Sequence, residues 1–432
     1  MATEKIIVGR TKDDATEYGT EGAVLIGKNI VGEGEDTHLA NPVYMDVIRP
    51  HIVLVCGKRG SGKSYTSAVV GEGITMLPQE IRQNISVLMV DTMGIFWSMK
   101  KPNERDAGLL EEWGMKPAGI DTKLFVPKGY VGEYEKIGVA VDCPFTLSVS
   151  ELTDIDWTIT FGFDMMSSHA LCITRAIKRV RNKYSSDYSI DDIVNQIELD
   201  EKAEQHVKDA LTSRFLSANE WGIFDRQGTS VLELFEAGKV SVLDISHYAR
   251  GGAGWSVRAL LIGILSRKIF QHRLEARKSE EFETMGGSGK KSIPMVWMVI
   301  DEVHQFIPAD QQTVASEPLL ALIKEGREPG ISVLLITQMP NKLHPDALAQ
   351  CDLVISHKLT ARSDILALKS VMQTYVLKDI QEILNRLPRI TGAAVVLDDN
   401  SERLYAVQVR PRLSWHAGGS PTALPKKEMF EE

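Results

Sequence analysis

The sequence predicts an α/β fold with a mostly parallel central sheet, a helical insertion and a small N-terminal β module. Three observations lead to this prediction. From Ile52 onward, continuous apolar runs alternate with helical stretches, as is typical of a parallel sheet buried on both faces. The apolar runs stop between residues 151 and 237, where the pattern becomes helical. A glycine-rich turn directly follows the first apolar run.

The composition is that of a globular protein. The chain has 432 residues, of which 43% are hydrophobic and 25% charged, and its formal net charge of -9 argues against a basic nucleic-acid coat. Its four cysteines lie far apart, which argues against a zinc cluster or a disulfide framework and favours a reducing compartment. Because neither a signal peptide nor a long apolar helix is evident, we expect a cytoplasmic protein with no membrane contact.

The first 50 residues contain short β-like runs, IIVGR, AVLIGK and VYMDV, separated by turn residues. They predict a small β module, resembling a shortened barrel. The α/β core then follows in two parts, residues 51–150 and 238–412. Its predicted strands are IVLVC, SVLMVD, TKLFV, VSVLD, MVWMVID, ISVLLITQ and DLVIS.

Residues 151–237 form the predicted helical insertion, which contains the basic stretch TRAIKRVRNK. The polar, glycine-rich stretch 279–292 predicts a mobile loop. Residues 413–432, with two prolines and a Gly-Gly pair, predict a C-terminal arm outside the core.

The turn GKRGSGKS at 57–64 matches the phosphate-binding pattern G-x-x-x-x-G-K-[ST] in full, between an apolar strand and a helix-forming run. Converging backbone N–H groups at a helix N-terminus hold a phosphate chain, and glycines let that chain approach closely. Lys63 is expected to bridge the outer phosphates of ATP and Ser64 to bind Mg²⁺. The predicted nucleotide contacts are Gly57, Lys58, Arg59, Gly60, Ser61, Gly62, Lys63, Ser64 and Tyr65. A second glycine-lysine run, MGGSGKKS, lacks the first glycine of the pattern and follows no strand, so it predicts a linker.

The run MVWMVIDE ends with two adjacent carboxylates, at the sheet edge where open α/β folds bind ligands. We expect Asp301 to hold the Mg²⁺ shell and Glu302 to polarise the water that attacks the γ-phosphate. Gln338, at the end of another strand, is a candidate sensor of the γ-phosphate or of this water. Asp91 ends a third strand and lies close to the water or metal, or else is a solvated strand end. His304 either holds its loop in shape or takes part in catalysis.

Arg327 follows a helical run that returns toward the opposite end of the sheet. Over about fourteen residues, at ~1.5 Å per residue, this run covers ~20 Å from the chain's own nucleotide. The arginine is therefore better placed to reach a neighbouring subunit's phosphates, as an arginine finger supplied in trans, unless it is only a surface arginine.

Taken together, these motifs resemble the HerA-like ATPases, in the HerA/FtsK group of RecA-like P-loop motors. The resemblance rests on HIVLVCGKRGSGKSYT, VDTMG, VIDEVHQFIP, EGREPGISVLLITQMPNKLHPDALAQCDLVISHKL and LYAVQVRPR, and it spans residues 51 to about 412. It implies a hexameric ring that couples ATP hydrolysis to the movement of double-stranded DNA, often beside a nuclease. One departure is the short N-terminal region, since the family typically carries a longer β-barrel domain before the P-loop.

A DNA translocase requires a basic pore surface. The basic residues available for it are Arg175, Lys178, Arg179, Arg181, Lys183, Lys290 and Lys291. Two alternatives stay open at this point. One is an ATP-gated scaffold that assembles and controls a partner effector without translocation, and the other is an ATPase that powers protein export or conjugation.

Overall fold

The computed structural model describes residues 5–32, 36–249, 254–286, 293–371, 380–388 and 390–419. Within these ranges the strands are β1 (Ile6–Val8), β2 (Ala23–Val31), β3 (His38–Asp46), β4 (Ile52–Cys56), β5 (Ile85–Asp91), β6 (Thr122–Pro127), β7 (Cys143–Phe145), β8 (Leu147–Ser148), β9 (Phe224–Asp225), β10 (Val240–Asp244), β11 (Met295–Ile300), β12 (Ile331–Thr337), β13 (Leu353–His357), β14 (Ala393–Asp398) and β15 (Arg403–Val409).

The helices in the same ranges are α1 (Lys12–Tyr18), α2 (Lys63–Thr75), α3 (Gln79–Arg82), α4 (Ala107–Glu112), α5 (Val131–Lys136), α6 (Asp154–Thr160), α7 (Ser168–Tyr184), α8 (Ile190–Glu198), α9 (Gln205–Asn219), α10 (Gly254–Gly286), α11 (Ser316–Glu325), α12 (Pro345–Ala349), α13 (Arg362–Val371) and α14 (Ile380–Arg386). No helix in the described ranges is long and apolar enough to cross a bilayer.

Thirteen strands form one sheet, in the order β1-β3-β2-β15-β14-β13-β4-β12-β11-β5-β10-β6-β7. From β13 to β7 every neighbouring pair is parallel, so β4, β12, β11, β5 and β10 end at the same edge. The core strands β4, β5, β10 and β12 are buried along their whole length, as their continuous apolar runs predict. The predicted α/β class with a mostly parallel sheet is confirmed.

The two faces of the sheet carry separate cores. One face packs against α10 and the helices of the insertion, where Trp157 is fully buried. The other face packs against α2 and includes Trp297, which is 1% exposed. Helices on both faces leave the strand ends as the place where polar side chains meet, which is the usual ligand-binding edge of such sheets.

The N-terminal strands are part of the central sheet, which differs from the separate module predicted for residues 1–50. The strand β2 pairs antiparallel with β15, which itself pairs with β14, so hydrogen bonding is continuous from β1 to the core. A buried ionic cluster reinforces this connection. His51 contacts Asp352 (Nδ1 to Oδ2, 2.7 Å) and Asp46 (Nε2 to Oδ2, 3.2 Å), and Arg10 Nε donates to Asp46 Oδ1 at 2.8 Å.

Helices α6 to α9 occupy the segment where the sequence predicts the insertion. Two of them begin with reciprocal caps, in which Thr153 pairs with Asp156 and Ser189 with Asp192, so local signals set both starts. The insertion is attached to the core by a bidentate ion pair, since both terminal nitrogens of Arg267 in α10 donate to Asp156 at 2.7 Å.

Two segment predictions are wrong in part. Residues 279–286, predicted as loop, are the end of α10, stabilised by a pair between Arg277 and Glu281 at 2.6 Å across one helical turn. The predicted arm from residue 413 begins too early, because Leu413 and Ser414 are buried against α2. Residues 287–292 and 420–432 lie outside the described ranges.

Candidate nucleotide site

The loop between β4 and α2 has the backbone geometry that its glycines require. Gly57 and Gly62 have φ values of 152° and 113°. A Cβ added to Gly57 would lie 2.6 Å from Ser61 Oγ and 2.7 Å from His357 Cβ, so only glycine fits there. The loop is therefore closely packed on its protein side, where His357 lies, while Lys58, Arg59 and Gly60 are exposed to solvent.

Lys63 is the first residue of α2, and its side chain returns toward the loop. Its Nζ donates to the carbonyl oxygen of Lys58 at 3.2 Å. Burial lowers the pKa of Lys63, and the nearby carboxylates of Glu302 and Asp301 oppose that shift. The cation is thus partly desolvated beside two acidic groups, a position suited to an incoming phosphate.

His357, at the end of β13, supports the loop from below and was not among the predicted site residues. Its Nδ1–H donates to the carbonyl oxygen of Ala393 (3.1 Å), so that its Nε2 accepts from Thr66 Oγ1 in α2 (2.9 Å). Burial lowers the pKa of His357 to about 4, which keeps the ring neutral at physiological pH. In the sequence, only its position directly after the apolar run DLVIS indicated such a role.

Asp301 and Glu302 follow β11 and face the same region. Burial raises the pKa of Asp301 to about 7, and the charge of Glu302 adds to this rise. Glu302 has φ 50° and ψ 42°, a left-handed backbone that costs a non-glycine residue about 1 kcal/mol. Its Oε2 is buried and has no hydrogen-bond partner among the described residues, although His304 Nδ1 lies 3.4 Å away, beyond a good hydrogen bond in this geometry. This atom is therefore an open acceptor inside the site.

Gln338 and Thr337, at the end of β12, connect to this carboxylate. Gln338 Nε2 donates to Glu302 Oε1 at 3.2 Å, which places the predicted sensor in direct contact with the predicted base. His304 Nδ1 lies 3.0 Å from Thr337 Oγ1, and this oxygen also accepts from the N–H of Met339. Burial and the charge of Lys63 lower the pKa of His304, so the ring is neutral and holds the loop through Thr337.

Asp91, the third candidate carboxylate, has a different role from the one considered for it at the water or metal. Its Oδ1 accepts from the N–H groups of Met93 and Gly94, and its Oδ2 from those of Ile95 and Phe96, at 2.7 to 3.1 Å. Four backbone donors occupy both oxygens, so Asp91 shapes the loop after β5 and offers no free oxygen to a ligand.

Tyr65 is committed to the C-terminal segment rather than to the open side of the loop. Its hydroxyl accepts from the backbone N–H of Arg412 at 2.6 Å, and its ring packs edge-on against His416 at 5.4 Å. Only its backbone remains available for the predicted nucleotide contact.

Arg327 is exposed after α11, at the amino end of β12. Because β12 is parallel to β4, this end lies opposite the P-loop, and the seven residues of β12 at ~3.3 Å each separate the two edges by ~23 Å. Buried Arg273 holds the following turn, since its Nε donates to the carbonyl oxygen of Pro329 at 2.7 Å. The arginine is thus far from the chain's own P-loop, as the sequence predicts.

The basic stretch of α7 is largely engaged within the insertion. Arg175 and Arg179 both pair with Asp200, at 2.7 and 3.2 Å, and Arg181 donates to the carbonyl oxygen of Leu152. Lys178 and Lys183 are exposed. Lys290 and Lys291 lie outside the described residues. The arginines of this group therefore have structural partners, which weakens their candidacy as a DNA surface.

Sequence comparison identifies similar proteins. A probable DNA double-strand break repair helicase HerA of Methanocaldococcus jannaschii is 26% identical over 186 residues, which are 39% of this chain and 36% of that protein. The DNA double-strand break repair helicase HerA of Sulfurisphaera tokodaii is 22% identical over 431 residues, 98% of this chain and 77% of that protein. This chain is therefore similar to both HerA proteins, and to the second over nearly its whole length.

Structural comparison supports the fold of this chain. VirB4 of Thermoanaerobacter pseudethanolicus superimposes with a TM-score of 0.56 at 10% identity, covering 90% of this chain and 97% of that one. At this identity the match shows the RecA-like P-loop fold alone. No family model matches the chain. The match with the M. jannaschii relative covers 36% of that protein's length, so the two proteins share only part of their length.

Proposed function

We propose that this protein hydrolyses ATP and uses the energy to move along double-stranded DNA. The observation that carries the hydrolysis is the open acceptor, Glu302 Oε2, which is buried after β11 at the same sheet edge as the P-loop, within electrostatic reach of Lys63 and Asp301. An unpaired buried carboxylate oxygen is costly, and at the P-loop edge of the sheet a bound water or ligand can satisfy it.

Each residue has a distinct part in the proposed reaction. The loop amides and Lys63 hold the phosphates of ATP. Glu302 Oε2 accepts a hydrogen bond from the attacking water and orients it toward the γ-phosphate, while Gln338 fixes the other carboxylate oxygen. Burial raises the pKa of Glu302, which makes it a better proton acceptor, and Lys63 and Gln338 limit that rise.

Ser64 and Asp301 fit a Mg²⁺ site. A hydroxyl and a carboxylate are oxygen ligands of the kind that Mg²⁺ takes in nucleotide sites. One oxygen of Asp301 accepts from the N–H of Glu302, which orients the carboxyl group, and the other has no hydrogen bond within the described residues. When bound, the ion would neutralise charge on the β- and γ-phosphates.

The distance of Arg327 from its own P-loop supports a shared site between subunits. We propose that it reaches the nucleotide of a neighbouring copy and stabilises the charge that develops there, which requires a ring. The HerA resemblance extends this proposal to a hexamer that acts with a nuclease or another DNA-processing partner.

Two relatives are named as DNA double-strand break repair helicases, and this supports DNA as the substrate. The test is ATP turnover with and without double-stranded DNA at low and moderate salt. We expect DNA to stimulate turnover and moderate salt to weaken the stimulation, because phosphate contacts release counterions. Lys63→Ala is the control without turnover. An ATP turnover rate that is the same with and without DNA at both salt concentrations would favour the ATP-gated scaffold instead.

The shared site has its own test. Mixing Arg327→Ala subunits with Glu302→Gln subunits should restore part of the activity, because some interfaces then pair an intact P-loop side with an intact finger. Each variant alone should be nearly inactive, since losing a finger costs about 10³-fold or more in turnover. Light scattering under the same conditions checks the ring. Mixed rings as inactive as their parents would leave Arg327 as a surface arginine.

A further inference from the structure

Arg258, in the second turn of α10, is a buried cation with no counter-ion among the described residues. The residue is 7% exposed, and its Nε has no hydrogen-bond partner among the described residues. None of the described carboxylates lies within ion-pair distance of it. Burial lowers the pKa of Arg258, and no neighbouring charge in the described chain opposes this shift.

The other buried arginines of the described ranges show that the fold normally satisfies such a group. Each has a carboxylate or carbonyl partner: Arg10 with Asp46, Arg273 with the carbonyl oxygen of Pro329, and Arg410 and Arg412 with Glu72. An unpaired buried charge costs stability, and a buried guanidinium therefore indicates a missing anion.

The position of Arg258 excludes one source of that anion, the nucleotide on the chain's own P-loop. A Cβ at Gly254, the first residue of α10, would collide with the carbonyl oxygen of Tyr248, so the helix begins directly under the turn that follows β10. This is the same sheet edge as the P-loop. Four strand steps separate β10 from β4, however, which at ~4.8 Å each is ~19 Å. A nucleotide on the chain's own P-loop is therefore too far away.

The beginning of α10 adds a second positive feature. Because helical side chains lean toward the N-terminus of their helix, the general geometry of α10 directs Arg258 toward the first turn. The helix is 33 residues long, and the N–H groups of such a first turn carry a partial positive charge. A guanidinium beside a helix N-terminus is an arrangement that favours an oxyanion with several acceptor oxygens.

We propose that Arg258 and the first turn of α10 bind a phosphate group that comes from outside the chain's own nucleotide site. The proposal deepens the proposed function and rests on it. A phosphate at this place has two possible sources, which are the backbone of the DNA and the nucleotide bound to a neighbouring subunit.

The first test is thermal unfolding of the full chain without nucleotide or DNA. Arg258→Met should raise the melting temperature by about 2 °C or more, because it removes an uncompensated buried charge. Lys278→Met is the matched control, since this lysine is exposed on the same helix, and it should leave the melting temperature unchanged. A lower melting temperature for Arg258→Met would mean that the guanidinium has an internal partner, and would overturn the proposal.

The second test distinguishes the two sources. If the phosphate belongs to DNA, Arg258→Met should reduce the slope of log affinity against log salt for duplex DNA by about one, and Arg258→Lys should keep it. If it belongs to a neighbour's nucleotide, the slope should stay and DNA-free turnover should fall about tenfold or more. The proposal would be overturned if Arg258→Met had the wild-type salt slope and the wild-type DNA-free turnover. It would also be overturned if Lys278→Met showed the same change of slope.

These outcomes are separable from failure of the proposed function. A wild-type protein that neither binds duplex DNA nor hydrolyses ATP would remove that function. A wild-type protein that does both, with an Arg258→Met variant that matches it, would remove only the phosphate site.

Discussion

The loops that follow β5 and β11 lie side by side at one edge of the sheet, and they use their buried carboxylates in opposite ways. Both oxygens of Asp91 are saturated by four backbone N–H groups, so the side chain holds its loop together. In Glu302, one oxygen accepts from Gln338 and the other has no partner among the described residues.

The difference distinguishes a carboxylate committed to its own loop from one that still has an acceptor for a ligand, although both follow apolar runs. Saturation by fixed donors leaves no acceptor for a ligand, whereas an open, buried oxygen carries a cost that a bound water or ligand removes. The strain at Glu302, in its left-handed backbone, is a second cost of the same kind.

The largest expected effect is that of Glu302→Gln. The amide keeps the shape of the side chain but cannot accept a proton from water, so turnover should fall about 10²- to 10⁴-fold while Mg-ATP still binds. Steady-state hydrolysis and equilibrium binding of labelled ATP measure the two properties. Glu80→Gln, an exposed glutamate, is the control and should match wild type. Near-normal turnover of Glu302→Gln would show that the base is another group.

Asp91→Ala should act on stability instead. Four backbone N–H groups lose their acceptor, and we expect the free energy of unfolding to fall by about 4 kcal/mol. Urea unfolding followed by fluorescence measures it. If the comparison is right, the fraction of Asp91→Ala protein that remains folded still binds Mg-ATP. An unchanged free energy of unfolding would contradict the structural role.

His51 lies at the opposite edge of the sheet and, like Asp91, has partners for all its polar atoms. Its two ring nitrogens contact Asp352 and Asp46. Burial lowers the pKa of His51, but hydrogen bonds and charges of Asp352 and Asp46 outweigh it and raise the pKa to about 9, from 6.5. Because the pKa is higher in the folded state, protonation of His51 stabilises the folded protein. This contribution is fully present below pH 6.5 and is lost as the pH rises through 9. The loss is about 3 kcal/mol.

The measurement is the free energy of unfolding of wild type and His51→Gln at pH 6 and pH 9.5. The difference between the two proteins should shrink by about 3 kcal/mol at the higher pH, because glutamine does not titrate. A difference that is the same at both pH values would mean that His51 is not charged in the folded protein.

The smallest effect is expected for Tyr65→Phe. It removes the hydroxyl that accepts from Arg412 N–H, which should lower the free energy of unfolding by about 1 kcal/mol and leave the KM for ATP unchanged. Thermal unfolding and steady-state kinetics on one preparation test both. A raised KM with wild-type stability would return Tyr65 to the nucleotide contacts.

Much of the fold follows from local patterns in the sequence. The strands β4, β5, β6, β10, β11 and β12 are continuous apolar runs, and the P-loop is recognisable because its glycines and lysine must stand at fixed spacing between a strand and a helix. The end of α10 was predicted as loop because its residues are polar and glycine-rich, whereas ion pairs across helical turns extend the helix to Gly286.

What the sequence by itself determined is which residues are candidates for the site: Lys63 follows from its position in the P-loop motif, and Asp301, Glu302 and Gln338 follow from their positions after apolar runs. Only the tertiary structure decided which side chains at this edge of the sheet have hydrogen-bond partners and which remain open to a ligand. The partners of Tyr65 and His357 come from segments hundreds of residues away, and the missing partner of Arg258 is evident only once its neighbours are in place. Hydrogen-bond saturation depends on which groups the fold brings within about 3 Å, and local sequence patterns do not contain that information.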